Sequence, residues 1–405
     1  MINMSEIFYS RAIENSLLKH NNKIKLLLGP RQSGKSTLLN HYIPDTEDTL
    51  IINLQDRRLR RLYEKDEGLL IRQLEGNKQI KTIYIDEIQK VPQLLDDLQY
   101  IYDKYKKYRM FVTGSSARQL KNRSSNLLPG RVHNLLLSPV LQAEQRNTIL
   151  LPCAMKDGHK FPQRDLENYL LFGNLPGLFH EDVESWENTL EAYAELYIEN
   201  EIRQENIVRD MGAFLRFLKI AALESGQLIN TTKLAKSVGV AVNTVRNFYQ
   251  VLEDTYVGIK ILPFGRSKKR IISAPRFLIF DIGLRHILAE LPVNKSLIQL
   301  DAGHIFEQWI MIELFYRCKL LGRGYSISTW RTKTGAEVDV IIETPEEYIP
   351  VEIKYTKSPT RSHARHIETF IHLHSDMCHK GYVVCRTPIK QQLTSKVTAL
   401  PWNEF

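Results

Sequence analysis

The chain has 405 residues, 43% hydrophobic and 25% charged, with a formal net charge of +9 and a pI near 9.1. That length predicts two or three domains with real cores, and the basic balance favours polyanionic partners. Cys153, Cys318, Cys378 and Cys385 are scattered with no CxxC pair, which argues against a disulfide framework or zinc ribbon; no secretory signal or bilayer-length apolar run is visible, so a reducing cytoplasm and no membrane partner are expected.

Strands and helices alternate first. "KIKLLLG", "TLIINLQD", "KTIYIDE" and "RMFVTGS" read as near-continuous apolar strands, "RVHNLLLSPV" as a fifth, and an amphipathic helix follows Pro92. The pattern predicts an α/β domain over 1–160 with a parallel sheet between helices. "GPRQSGKST" is a full GxxxxGK[ST] match between a strand and a helix. Gly29 and Gly34 would let backbone N–H groups wrap phosphates, Lys35 would reach the β and γ phosphates of ATP, and Ser36, followed by Thr37, would serve Mg²⁺. "IYIDEIQ" supplies Asp86 for Mg²⁺ and Glu87 to orient and deprotonate the attacking water. "FVTGSS" places Thr113 and Ser115 beside Glu87, where a hydroxyl could sense the γ phosphate, and Arg131 could serve as an arginine finger on a neighbouring subunit's nucleotide.

A helical lid or connector is expected over 161–210, with a Gly-Asn-x-Pro turn, followed over 211–290 by helices and a hairpin in the order of a winged helix-turn-helix. Asn243, Thr244 and Arg246 open its candidate recognition helix, and Lys268, Lys269 and Arg270 form a basic wing tip suited to DNA phosphates. The same segment can instead serve as a protein-coupling module. The other basic blocks, 56–61 and 104–109, read as solvated faces.

A further α/β unit covers 296–405. "AEVDVII" carries Asp339 and "VEIKY" carries Glu352 and Lys354 on one face of the next strand. Two carboxylates there could hold Mg²⁺ or Mn²⁺, with Lys354 stabilising charge, Glu307 on the preceding helix as a further ligand and Glu337 on the face of Asp339. The bland alternative is a buried ion pair. Six residues in "SHARHIETFIHLHSDMCHK" could bind metal, but the spacing fits no zinc pattern and an amphipathic helix explains it better.

The series "LLLGPRQSGKSTLL", "IYIDEIQKVPQLL", "FVTGSSA", "LLPGRV", "IFDIGL", "IFEQWIMIEL" and "EVDVII…VEIKY" resembles prokaryotic AAA-type ATPases with an appended C-terminal domain of unknown function. In that family the tail resembles restriction-endonuclease-like nucleases of the PD-(D/E)xK type. The resemblance implies nucleotide binding, suggests work on nucleic acid, and by analogy suggests a homo-oligomeric ring. The resulting expectation is an ATP-hydrolysing enzyme that acts on DNA and cuts it if the tail is active; the alternative is a nucleotide-dependent protein scaffold with an inactive nuclease fold.

Overall fold

Five apolar runs become five strands: β1 (Ile24–Leu28), β2 (Thr49–Asn53), β3 (Thr82–Asp86), β4 (Arg109–Gly114) and β5 (Val132–Leu136). Their order in the sheet is β2-β3-β4-β1-β5, and every neighbouring pair is parallel. The computed structural model describes residues 7–19, 23–116, 130–203, 208–265 and 274–405. Parallel strands cannot be joined by tight hairpins, and helices connect β1 to β2, β2 to β3 and β3 to β4. Helix Leu94–Tyr105 buries Leu94, Leu95, Leu98 and Ile101 in a core shared with Ile83, Ile85 and Val112 of β3 and β4. The order sets β4 between β1, which leads into the phosphate loop, and β3, which ends on the two acids.

The chain divides into two units. One is Met1–Ser138 with Met155–His159 and Asp254–Tyr256; the other is Pro139–Ala154 with Lys160–Glu253 and Val257–Phe405. From Lys160 onward the second unit carries helices Leu166–Phe172 and Trp186–Tyr197. The Gly-Asn-x-Pro turn after the first of these is held by Asp281, which accepts from Asn174 N at 2.7 Å and from Leu284 N at 3.1 Å. Burial pushes the Asp281 carboxyl up to about 6. Gly173 adopts φ +69° there, and a Cβ on it would lie 2.2 Å from an Asp281 oxygen, so this position demands glycine.

Helices Met211–Leu223, Thr231–Val238 and Val242–Asp254 follow, then an antiparallel hairpin of β6 (Gly258–Ile261) and β7 (Arg276–Ile279). Asn230 caps the second helix by accepting from Lys233 N at 3.0 Å, and Gly239, at φ +79°, ends it. Phe217, Tyr249 and Phe277 lock helices to hairpin with centroid separations of 4.9 and 4.7 Å. The hairpin tip with Lys268, Lys269 and Arg270 lies outside the described residues.

Helix Lys295–Leu321 leads into a six-stranded sheet of order β12-β13-β11-β10-β9-β8. Its strands are β8 (Ser326–Arg331), β9 (Glu337–Glu343), β10 (Tyr348–Lys354), β11 (Gly381–Cys385), β12 (Gln391–Gln392) and β13 (Val397–Pro401). β8, β9 and β10 form an antiparallel meander, and β10, β11 and β13 run parallel. Helix Arg365–Leu373 makes the crossover from β10 to β11 and buries Ile367, Phe370 and Ile371 on the sheet. The chain leaving β6 docks along the outer edge of β8: Thr329 N donates to Leu262 O at 3.1 Å and Phe264 N to Thr329 O at 2.6 Å. The Phe264 ring then sits edge-on to Tyr348 and Phe370, at 5.0 and 5.1 Å.

Candidate nucleotide site and acidic pair

The phosphate loop follows β1 and needs backbone that most residues avoid. Gly29 has φ +150°, Gln32 φ +54° and Gly34 φ +91°. A Cβ on Gly29 would lie 2.3 Å from Leu137 O, so nothing larger than glycine fits. Lys35 opens helix Lys35–Tyr42 and folds back over the loop, its ammonium donating to Gly29 O at 3.0 Å and Pro30 O at 2.8 Å. Arg11, 4% exposed, braces the loop from behind by donating to Ser33 O at 3.1 Å and Ser138 O at 2.8 Å. Thr37 is exposed on the helix.

The acids are joined to the loop through hydroxyl groups. Ser36 Oγ donates to Asp86 Oδ1 at 3.0 Å. Thr113, at the end of β4, donates to the same oxygen at 2.5 Å and accepts from Glu87 N at 2.9 Å. Tyr84 and Gln55 also donate to Asp86, at 3.1 and 3.2 Å. Burial, and then the Asp86 carboxylate, pushes the Tyr84 phenol up, so it stays a donor. Glu87 departs from β3 at φ +60°, ψ +50°, a left-handed conformation seldom adopted by residues with a Cβ and concentrated at functional sites. Ser115 Oγ donates to Glu87 Oε2 at 2.9 Å, and Gln89 Nε2 donates to the same oxygen.

Lys35, Ser36, Asp86, Glu87, Thr113 and Ser115 therefore converge at the C-terminal ends of β1, β3 and β4. Thr113 spends its hydroxyl hydrogen on Asp86, so its place is a joint between the two acids rather than a free phosphate sensor. Arg131 lies at the opposite end of the sheet. Ile24 N, at the start of β1, donates to Arg131 O, a strand's length (about 16 Å) from the loop that follows Leu28. Its guanidinium makes a two-bond pair with Asp103, at 2.8 and 3.0 Å. Any finger role would therefore act on another subunit's nucleotide. No motif marks Gln55 or Arg11, and the one sequence signal for Gln89 is that it stands two residues beyond Glu87.

In the tail, the β9–β10 register of Val340 against Val351 sets Asp339 opposite Glu352 one step further along. Both are 7% exposed. Lys354 Nζ bridges them, 2.6 Å from Glu352 Oε1 and 3.5 Å from Asp339 Oδ2, and Ile353 N donates to Asp339 Oδ2 at 2.8 Å. Burial, and then the facing Asp339 carboxylate, pushes Glu352 up to about 7 against the pull of Lys354. Burial opposes the Lys354 charge, but the two carboxylates outweigh it and hold its pKa above the ordinary value. Glu352 Oε2 is buried and has no hydrogen-bond partner among the described residues. Glu307 is instead paired with Arg276 of β7, while burial and then Asp339 raise its carboxyl. Glu337 is exposed and pairs with Arg331 at 3.6 Å.

Asn243, Arg246 and Asn247 are exposed at the start of helix Val242–Asp254, Thr244 is half-buried, and Arg246 donates to Asn243 Oδ1 at 3.3 Å. In the histidine-rich run, His366 contacts Glu337 O at 3.0 Å, His374 packs 4.4 Å from Phe370, and Cys378 is buried. Among the described residues no group of three or more His, Cys, Asp or Glu is placed to hold a metal ion, and no helix is long and apolar enough to cross a membrane. In the 104–109 block, Lys104 lies over the rings of Tyr100 and Tyr105 and pairs with Glu75 at 3.6 Å.

Residues 21–145 match the family model described as an AAA domain. With the loop, the strand order and the converging acids, that match makes this segment a P-loop ATPase domain of the AAA type. Residues 163–295 and 302–405 match two domains of unknown function, DUF8612 and DUF4143. The chain is similar to an uncharacterized protein of Mycobacterium tuberculosis, 27% identical over 352 residues, covering 85% of this chain and 73% of that one. It is also similar to an uncharacterized protein of Haemophilus influenzae, 24% identical over 384 residues, covering 89% of this chain and 90% of that one. Among solved structures it overlaps a signal-transduction ATPase with a tetratricopeptide repeat sensor from Pyrococcus horikoshii, at 13% identity and a TM-score of 0.28, covering 78% of this chain and half (50%) of that one.

Proposed function

We propose that this protein hydrolyses ATP and couples the hydrolysis to work on DNA. The observation that carries the ATPase reading is the bonded chain Ser36–Asp86–Thr113–Glu87, which links the phosphate loop to a carboxylate placed to act as a base. Ser36 and Asp86 would hold Mg²⁺, whose charge offsets that of the phosphates. Lys35 would leave its loop carbonyls for the β and γ phosphates, and Glu87 would take the proton of the attacking water. The DNA reading is supported by the three-helix and hairpin order, the exposed Asn243 and Arg246, and the basic run Lys268, Lys269 and Arg270 in the sequence. Single-stranded, duplex or branched DNA is expected to raise the ATP hydrolysis rate several-fold. Replacing Lys268, Lys269 and Arg270 together should weaken DNA binding for all sequences and flatten its salt dependence. A rate indifferent to every DNA would favour the scaffold alternative.

For the tail, the buried and unpartnered Glu352 Oε2, on the residue set opposite Asp339 across the strands, supports a cation site. Asp339 and Glu352 would hold Mg²⁺ or Mn²⁺, which supplies Lewis acidity at a phosphodiester. Lys354 would stabilise developing negative charge. Glu307, held by Arg276, is the weaker ligand candidate. Asp339→Ala, Glu352→Ala and Lys354→Ala are each expected to abolish cation-dependent DNA cleavage while ATP hydrolysis survives. No cleavage by the wild type in Mg²⁺ or Mn²⁺, with no cation binding by calorimetry, would make the triad a structural ion pair, the role that the Lys354 bridge already offers.

A further inference from the structure

We infer that Gln89 is a second catalytic residue of ATP hydrolysis: its amide nitrogen fixes Glu87, and its amide oxygen receives a hydrogen of the attacking water. The inference rests on the ATPase reading above.

The turn Ile88–Lys90 leaves Glu87 in its left-handed conformation and brings residue 89 back beside residue 87. Gln89 is 1% exposed. Its Nε2 donates both to Glu87 Oε2 and, at 2.9 Å, to Ser115 Oγ, and Ser115 Oγ in turn donates to Glu87 Oε2 at 2.9 Å. The orientation of the amide is fixed by chemistry, because an ionised carboxylate only accepts and so must face the nitrogen. That leaves Gln89 Oε1 pointing elsewhere, and it is buried with no hydrogen-bond partner among the described residues. Buried amide oxygens without a donor are rare and costly.

A water beside the γ phosphate supplies the missing donor. It has two hydrogens. One proton passes to the Glu87 carboxylate as the water oxygen bonds to the γ phosphorus and the bond from that phosphorus to the β–γ bridging oxygen breaks. The other hydrogen stays on the oxygen and is held by Gln89 Oε1. The products are ADP and phosphate, with the abstracted proton on Glu87. Both hydrogens are thus directed, and the oxygen lone pair is turned toward phosphorus, the alignment that phosphoryl transfer depends on. Ser115 and Gln89 together occupy one carboxylate oxygen, which leaves Glu87 Oε1 for the proton.

The test uses the full chain with saturating Mg-ATP and a parallel titration with a fluorescent ATP analogue. Gln89→Leu should lower kcat by about a hundredfold with analogue affinity within about threefold of wild type, since uniform binding is untouched. Gln89→Glu keeps the shape and an acceptor oxygen but sets a second carboxylate against Glu87. It should move the acid limb of the kcat–pH profile upward by about one unit, because like charges resist joint ionisation. A Gln89→Leu kcat equal to or above that of the wild type overturns the inference. So does a loss of affinity as large as the loss of rate, which would mean a purely structural role. Should Gln89→Leu fail to fold, an unshifted Gln89→Glu profile overturns it instead. A wild type that does not turn over ATP removes the ATPase reading itself, whereas a wild type that does, alongside an unimpaired Gln89→Leu, removes only the role of Gln89.

Discussion

Glu87→Gln is expected to lower ATP turnover by about 10²–10⁴-fold, the usual worth of a positioned general base, while ATP affinity stays close to that of the wild type. The substitution keeps the shape of the side chain, and the new amide oxygen can still accept from Ser115 and Gln89 as the carboxylate does. It removes only the ability to take a proton. Lys35→Ala should do the reverse and abolish tight binding, because the ammonium that now rests on Gly29 O and Pro30 O is the charge meant for the phosphates. Nucleotide titration and single-turnover hydrolysis separate the two effects. Full turnover by Glu87→Gln would move the base to another residue.

The largest stability effect is expected at Arg317. Its guanidinium is fully buried, bonded to Glu313 Oε1 at 2.7 Å and to the carbonyl oxygens of Leu150 and Phe405, each at 2.8 Å, and it stands 4.5 Å from the centre of the Phe405 ring. Arg317→Ala strands the buried Glu313 carboxylate, two carbonyl oxygens and a cavity. Breaking a buried pair from one side costs about 3–5 kcal/mol, a large part of a domain's total stability. Arg317→Met with Glu313→Gln should recover part of the loss, since the second change removes the uncompensated charge. Chemical denaturation of the single and double variants gives the coupling directly, and a loss under about 1 kcal/mol for Arg317→Ala would show that water reaches the pair.

The five strands of the first sheet were legible because each is a near-continuous apolar run, the mark of a strand buried on both faces. The phosphate loop and the acid pair were legible because their residues are neighbours in the chain. What could not be read was pairing across strands. Chain spacing sets Thr113 at a strand end near Glu87, but only the parallel register of β4 between β1 and β3 commits its hydroxyl to Asp86. Glu307 lies on the expected helix, yet Arg276, 31 residues earlier in the chain, takes it. No periodicity within one helix announces a partner on a hairpin. The opposition of Asp339 and Glu352 was half legible: period two fixed the face of Glu352 and Lys354, and the β9–β10 register supplied the rest.

The docking of Leu262–Phe264 along β8 has a consequence for the tail as a separable piece. An open sheet edge is a template on which another chain can add a strand. One edge of the six-stranded sheet is β12, only two residues long and so a poor template. The other is β8, six residues including the buried Ile327 and Trp330, and the hairpin stem sits against it at Thr329. A fragment spanning 296–405 would keep every strand of its sheet and lose this cover, and with it Phe264 from between Tyr348 and Phe370. Such a fragment would be prone to polymerise through β8, so insolubility of the isolated tail would say nothing about whether its acids can act. The smallest piece on which the tail's chemistry can fairly be judged is one that carries the hairpin with it.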